Sequence, residues 1–166
     1  SDLSGVTFGA GPGTFTGVRI STGIAYGIAY AHNLPVVGVN NLMAIAKKVN
    51  KKIVISCIDA RMGELYMGAY KKVEGSMVSI MDCGVFNPSN LPRLDIVEGV
   101  INGSGVSEYK QVVKENYQSQ NIIIDEHEYA LIGSKILDDS FNLKNAAPIY
   151  IRNKVAKTIN ERKFDL

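Results

Sequence analysis

The 166-residue sequence is short of the side chains that hold metals and disulfides, with two cysteines and two histidines. Cys57 and Cys83 cannot make a disulfide framework, and neither sits in a Cys-x-x-Cys pair. Both fall in apolar, strand-like runs, where a buried reduced thiol is expected. His32 and His127 lie far apart, with no His-x-x-x-His or His-Glu-x-x-His spacing, so no metal site is legible. There is no Gly-x-Ser-x-Gly elbow and no Ser/His/Asp set, which leaves the catalytic inventory close to empty. Charge of one sign is also lacking: 18 basic and 16 acidic side chains leave a net +2, interspersed rather than striped. A direct nucleic-acid grip therefore has no support in composition. No run reaches the ~20 apolar residues of a membrane span, and no basic-then-apolar leader opens the sequence. The expected compartment is the cytoplasm, with no membrane partner.

What is present suits a globular protein. The composition is 46% hydrophobic and 20% charged, which excludes disorder. A chain of this size buries about two-thirds of its surface without help from metal or disulfide. Val6-Thr7-Phe8 reads as a buried strand, closed by Gly9-Ala10-Gly11-Pro12-Gly13. Thr14 is a cap for a helix over residues 15–32, with Asn33 at its end and Leu34-Pro35 to break it. Val36 to Val39 is a second buried strand, so this is a βαβ unit with parallel strands. A helix over residues 42–49 follows. Residues 53–58, 65–70 and 77–86 read as an antiparallel meander. Beyond a loop with Pro88 and Pro92, the pattern gives a strand at 99–102 and a helix over 106–117. A strand at 121–125 and a helix over 128–141 come next, then a charged tail at 160–166. These elements make an α/β arrangement of two lobes, residues 1–50 and 51–166. A two-strand first lobe is too small to stand alone, since three or more strands are usual. The abrupt opening on Ser1 rather than Met therefore suggests a fragment, with the remaining strands expected ahead of it.

The first helix carries a single formal charge, Arg19, between Phe15 and Asn33. At 100° per residue, Thr16, Ile20, Gly23, Gly27 and Ala31 share one face, and Val18, Thr22, Ala25, Ala29 and His32 the opposite one. Neither face is polar, so both should be covered. Gly17, Gly23 and Gly27 together cost about 1.5–3 kcal/mol relative to Ala. Close approach of another backbone is the simplest compensation, supplied either by the protein's own N-terminal part or by another chain.

Two glycine-rich turns invite comparison with phosphate cradles. Gly9 to Gly17 follows a strand and opens a helix, placing Gly11, Gly13 and Thr14 where backbone N–H groups favour anions. The run fails the Rossmann spacing and lacks the Lys-Ser/Thr of a Walker loop, so a plain tight turn fits equally well. Gly103-Ser104-Gly105 is a weaker signal of the same kind. Asp59, Arg61 and Glu64 gather at one hairpin end, where an ion-paired turn competes with a catalytic reading.

These runs resemble the bacterial TsaB (YeaZ) family of tRNA threonylcarbamoyladenosine biosynthesis proteins. The run from Phe8 to Ile20, with its Gly-Pro-Gly-Thr-Phe-Thr-Gly-Val-Arg core, is similar to the family's Gly-Pro-Gly-Ser-Phe-Thr-Gly-Leu-Arg-Ile. Val36 to Leu42 resembles the strand that follows it. Asp59-Ala60-Arg61-Met62-Gly63-Glu64-Leu65-Tyr66 is similar to Asp-Ala-Arg-Met-Gly-Glu-Val-Tyr, and Pro148-Ile149-Tyr150-Ile151-Arg152 to the closing Pro-x-Tyr-Leu-Arg. The resemblance implies a two-lobe actin-like ATPase (ASKHA) fold, with mixed sheets flanked by helices, and implies that the first strands and first helix of lobe one are missing ahead of Ser1. It implies a non-catalytic relative of TsaD, the subunit that transfers threonylcarbamoyl to adenosine beside the anticodon. It also implies docking on TsaD, or on a second copy, through first-lobe helices, here Arg19, Ile20, Gly23, Ile24, Gly27 and Ala31. A TsaE-like ATPase is a further implied partner, and tRNA is met only indirectly. No cofactor of its own is implied, although ATP or ADP at the partner interface is allowed for. TsaD-like subunits carry His-x-x-x-His, which this sequence lacks. A glycoprotease-type peptidase and a weak ATP-binding protein remain the alternatives.

Overall fold

Along the first strand, Val6, Phe8 and Ala10 face one way and Thr7 and Gly9 the other, and each set meets a different helix. The computed structural model describes residues 3–92, 99–105, 117–120, 124–137 and 146–152. Strand β1 (Val6–Gly11) pairs in parallel with β2 (Val36–Asn40), in the register Val6↔Val36 and Phe8↔Gly38. Helix α1 (Phe15–His32) connects them, with the boundaries the sequence predicts. The Thr14 hydroxyl accepts from the Gly17 N–H, and Asn33, at φ 50°, ends the helix in the left-handed conformation. These caps satisfy terminal backbone groups that would otherwise be orphaned.

Helix α2 (Asn41–Val49) starts where Asn40 accepts from the Leu42 and Met43 N–H groups. Strands β3 (Ile53–Asp59), β4 (Leu65–Val73) and β5 (Ser76–Phe86) form the expected meander. Strand β6 (Gly99–Asn102) pairs in parallel with β3, and β7 (Tyr117–Gln120) pairs in parallel with β6. The five-stranded sheet therefore runs β5-β4-β3-β6-β7. Helix α3 (Glu126–Ile136) follows.

The last third departs from expectation. A strand forms at 117–120, where the helix over 106–117 was expected to end, and Ile124 and Asp125, the described part of the strand expected at 121–125, are not in a strand. Tyr-Gln-Ser-Gln has no apolar alternation; its strand is made by pairing with β6. Asp125 instead opens α3, accepting from the His127 N–H at 3.0 Å while Glu128 reaches back to the Asp125 N–H. That reciprocal box is local and outcompetes a strand. Residues 106–116, 121–123, 138–141 and 160–166, on which other predicted elements fall, lie outside the described residues.

Three apolar cores form among the described residues. Leu42, Ile45, Ala46 and Val49 of α2 pack on Val54, Tyr70 and Met77 of the larger sheet. Ile55, Cys57, Leu65, Met67 and Ala69 fill its other face. Phe8, Ala10, Ala25, Ala29 and Val36 join α1 to the smaller sheet. On that sheet's opposite face, a Cβ on Gly133 of α3 would stand 2.0 Å from the Thr7 methyl, so glycine admits the helix there. Among the described residues no helix is long and apolar enough to cross a membrane.

Candidate functional site

The three motifs that are distant in sequence converge on one cleft of about 270 Å³. Pro12 to Phe15 form one wall, Asp59 to Met62 with Tyr66 a second, and Ile149 to Arg152 a third. The first and third walls are tied directly, because the Ile149 N–H donates to the Ala10 carbonyl at 2.7 Å. Gly11 sits at φ +115°, and a Cβ there would approach the Ile149 carbonyl oxygen to 2.8 Å. Glycine is thus required at 11 by backbone packing, with no appeal to a ligand. Gly13 and Thr14 do line the cleft.

The second wall is an unusual turn. Arg61, Met62 and Gly63 all take positive φ, at 63°, 58° and 71°. Two non-glycine residues in this region carry a real conformational cost, so the surroundings must hold them. Asp59 does so by accepting from the Arg61 N–H at 2.7 Å and by meeting the Arg61 guanidinium at 3.2 Å. The Ala60 N–H donates to the Glu64 carbonyl at 2.9 Å, which closes the loop. Asp59 and Arg61 are therefore paired as an ion-paired turn would have them, and the 77% exposed Arg61 side chain stands at the cleft mouth.

The third wall brings in contacts that no local pattern announced. Arg152, largely buried, pairs with Glu64. Arg19 lies 3.2 Å from the Phe15 ring centroid and 5.1 Å from that of Tyr150, a guanidinium held against two aromatic faces. The family-motif residues Asp59, Arg61, Glu64, Tyr150 and Arg152 thus meet around one opening. Gly103 and Gly105 do not line it. A Cβ on Gly103 would stand 2.0 Å from the Cys57 carbonyl oxygen, and the Gly105 N–H donates to that same oxygen at 3.2 Å. Between them, the Ser104 hydroxyl accepts from the Asp59 N–H at 3.2 Å, so this turn braces the Asp59 end of β3.

Behind the Gly9–Gly13 loop, Asn41 donates to the Pro12 carbonyl at 2.9 Å and accepts from the Tyr129 hydroxyl at 3.1 Å. Burial, with Glu128 adjacent, pushes the Tyr129 hydroxyl above its ordinary pKa, so it stays a donor. Among the described residues no three His, Cys, Asp or Glu side chains come together as a metal would need.

Helix α1 is inverted relative to an ordinary surface helix. Its buried residues are the small Val18, Ala25 and Ala29, while Phe15, Ile20, Ile24, Tyr26, Ile28 and Tyr30 are 40–66% exposed. His32, which the wheel placed with the packed stripe, is exposed as well. The face carrying Arg19, Ile20, Gly23, Ile24, Gly27 and Ala31 has no cover among the described residues. A Cβ at Gly23 or Gly27 would meet none of the described residues within 4 Å. One face is covered by β1 and β2, and the cover expected for the other, from the protein's own N-terminal part or from another chain, is not among the described residues.

Comparison with known proteins bears directly on these motifs. Residues 1–161 match the family model described as TsaD, tRNA N6-adenosine threonylcarbamoyltransferase. The tRNA threonylcarbamoyladenosine biosynthesis protein TsaB of Escherichia coli is 32% identical over 94% of this chain and 74% of its own length. The chain belongs to the TsaB (YeaZ) family. TsaB of Haemophilus influenzae is 30% identical, over 93% of this chain and 72% of its own. Among solved structures, YeaZ from Pseudomonas aeruginosa superposes with a TM-score of 0.76 at 26% identity, covering 89% of this chain and 73% of that one. A second Pseudomonas aeruginosa structure, titled as similar to peptidase YeaZ, gives 0.78 at 26% identity over 90% and 74%. The mixed α/β sheets and these neighbours fit the actin-like fold that the resemblance implied.

Proposed function

We propose that this protein is a non-catalytic partner subunit in tRNA threonylcarbamoyladenosine biosynthesis, which docks through the bare face of α1 on a TsaD-like subunit. The observation that carries this reading is the pair Gly23 and Gly27. Each costs about 0.5–1 kcal/mol in a helix, and no neighbour among the described residues occupies the space that a Cβ would take. Around them stand Ile20, Ile24, Ile28 and Tyr30, exposed on the same helix. An apolar patch of this kind on a protein surface marks an interaction site. Small residues flanked by large apolar ones let a second helix approach closely and bury the flanks. A second copy of the chain could use the same face, as the family's self-association implies.

Nucleotide, in this reading, is held by the partner complex. Of the glycines considered for phosphate contact, only Gly13, beside Thr14, lines the cleft; Gly11 is taken up by Ile149, and Gly103 and Gly105 by Cys57. The test is co-purification of the intact protein with TsaD. The Gly23→Leu/Gly27→Leu variant should lose it, and undiminished co-purification would remove the assignment.

A further inference from the structure

A groove that shares no residue with the cleft or with α1 lies between α2, α3 and the start of β5, enclosing about 140 Å³. Met43, Met77 and Ile132 line it, with Leu131 and Ile136 at its lip, 40% and 55% exposed. Lys47 enters from α2 and Lys135 from α3, and their ammonium groups converge on adjacent residues at one end. Lys47 donates to the Gly75 carbonyl at 2.8 Å, and Lys135 to the Ser76 hydroxyl at 3.3 Å. Lys48, one residue on, is neutralised by both Asp125 and Glu128, whereas Lys47 and Lys135 have no salt bridge among the described residues. Glu74 in the adjoining turn is paired with neither.

We propose that this groove docks an acidic, apolar peptide segment of a partner protein. One large apolar side chain enters between Met43, Met77 and Ile132, and a carboxylate sits between Lys47 and Lys135. Among the described residues the two ammonium groups meet only neutral acceptors, and a carboxylate makes the stronger, charge-assisted bond. Methionines adapt their shape to an inserted side chain, and apolar grooves between helices are a recurring peptide-binding surface. A recess sized for one side chain suits a peptide anchor better than a lipid surface, which would meet the two lysines without filling the pocket.

The test uses the intact protein and a short fluorescein-labelled peptide of Leu, Phe and Glu. Fluorescence anisotropy should show saturable binding, weakened about tenfold by Lys47→Glu with Lys135→Glu, and by replacing the peptide's Glu with Gln. Leu131→Asp, at the exposed lip, should weaken it without altering the far-ultraviolet circular dichroism spectrum. Methyl NMR shifts should centre on Met43 and Met77. Three results would each overturn the proposal: equal binding of the Glu and Gln peptides, no binding, or binding of phosphatidylserine vesicles in place of the peptide. Gly23→Leu leaves this groove untouched, so failure here and failure of the α1 reading are separable.

Discussion

Arg152 pairs with Glu64 although 88 positions separate them, and this contact fastens the closing segment to the turn between β3 and β4. The Arg152 side chain is 14% exposed and that of Glu64 is 37% exposed. Deleting either partner strands the other in a half-dry site and should cost about 1–2 kcal/mol, between the exposed and buried extremes. In urea unfolding, Arg152→Ala and Glu64→Ala should each show this loss, and the double variant little more than one of them. Strictly additive losses would mean that the pair is not coupled.

The glycines divide into two kinds that a single substitution separates. Gly103→Ala places a Cβ 2.0 Å from the Cys57 carbonyl oxygen at φ +123°, and should destabilise by about 3 kcal/mol or more. Gly23→Ala and Gly27→Ala meet open space in a helix, and should each stabilise the isolated chain by about 0.5–1 kcal/mol. Thermal unfolding reads both signs. Destabilisation by Gly27→Ala in the isolated chain would mean that a neighbour packs against this face of α1.

Ser56 sits in the centre of β3, fully buried, with no hydrogen-bond partner for its hydroxyl among the described residues. A buried, unmatched hydroxyl is a net cost, so Ser56→Ala should raise stability by about 1 kcal/mol. A lower unfolding midpoint for that variant would show that the hydroxyl is satisfied in solution.

Acid should loosen the contact between α2 and α3. Lys48, Glu128 and the His127 N–H hold the Asp125 carboxyl down at about 2, below its ordinary 3.8. A depressed native pKa contributes stability above the unfolded value, and that contribution disappears as pH falls from about 4 toward 2. Asp125→Asn keeps the helix cap and removes the charge. The stability gap between wild type and this variant should therefore shrink across that interval; a gap constant with pH contradicts the assignment.

Local chemistry made much of this fold legible. Thr14 and Asn33 announce the ends of α1, and the runs from Ile53 to Phe86 read as the meander they form. Strand β7 was illegible because Tyr117 to Gln120 has no apolar alternation and depends on β6 for its conformation. The cleft was legible only as separate motifs. Nothing within a few residues of Arg152 or Tyr150 points to Glu64 or Arg19, since chain folding alone brings them together. The wheel of α1 identified the stripe of Val18, Ala25 and Ala29 but could not show that the bulky residues face outward. Small side chains pack closely on β1, and that requirement overrides hydrophobicity in deciding which face turns inward.

The affinity of the intact protein for TsaD, measured by titration calorimetry with and without Gly23→Leu and Gly27→Leu, reads docking through α1. Docking of TsaD on the bare face of α1 predicts that wild type binds and that the double variant, folded by circular dichroism, does not. Equal affinity of the two proteins would contradict it.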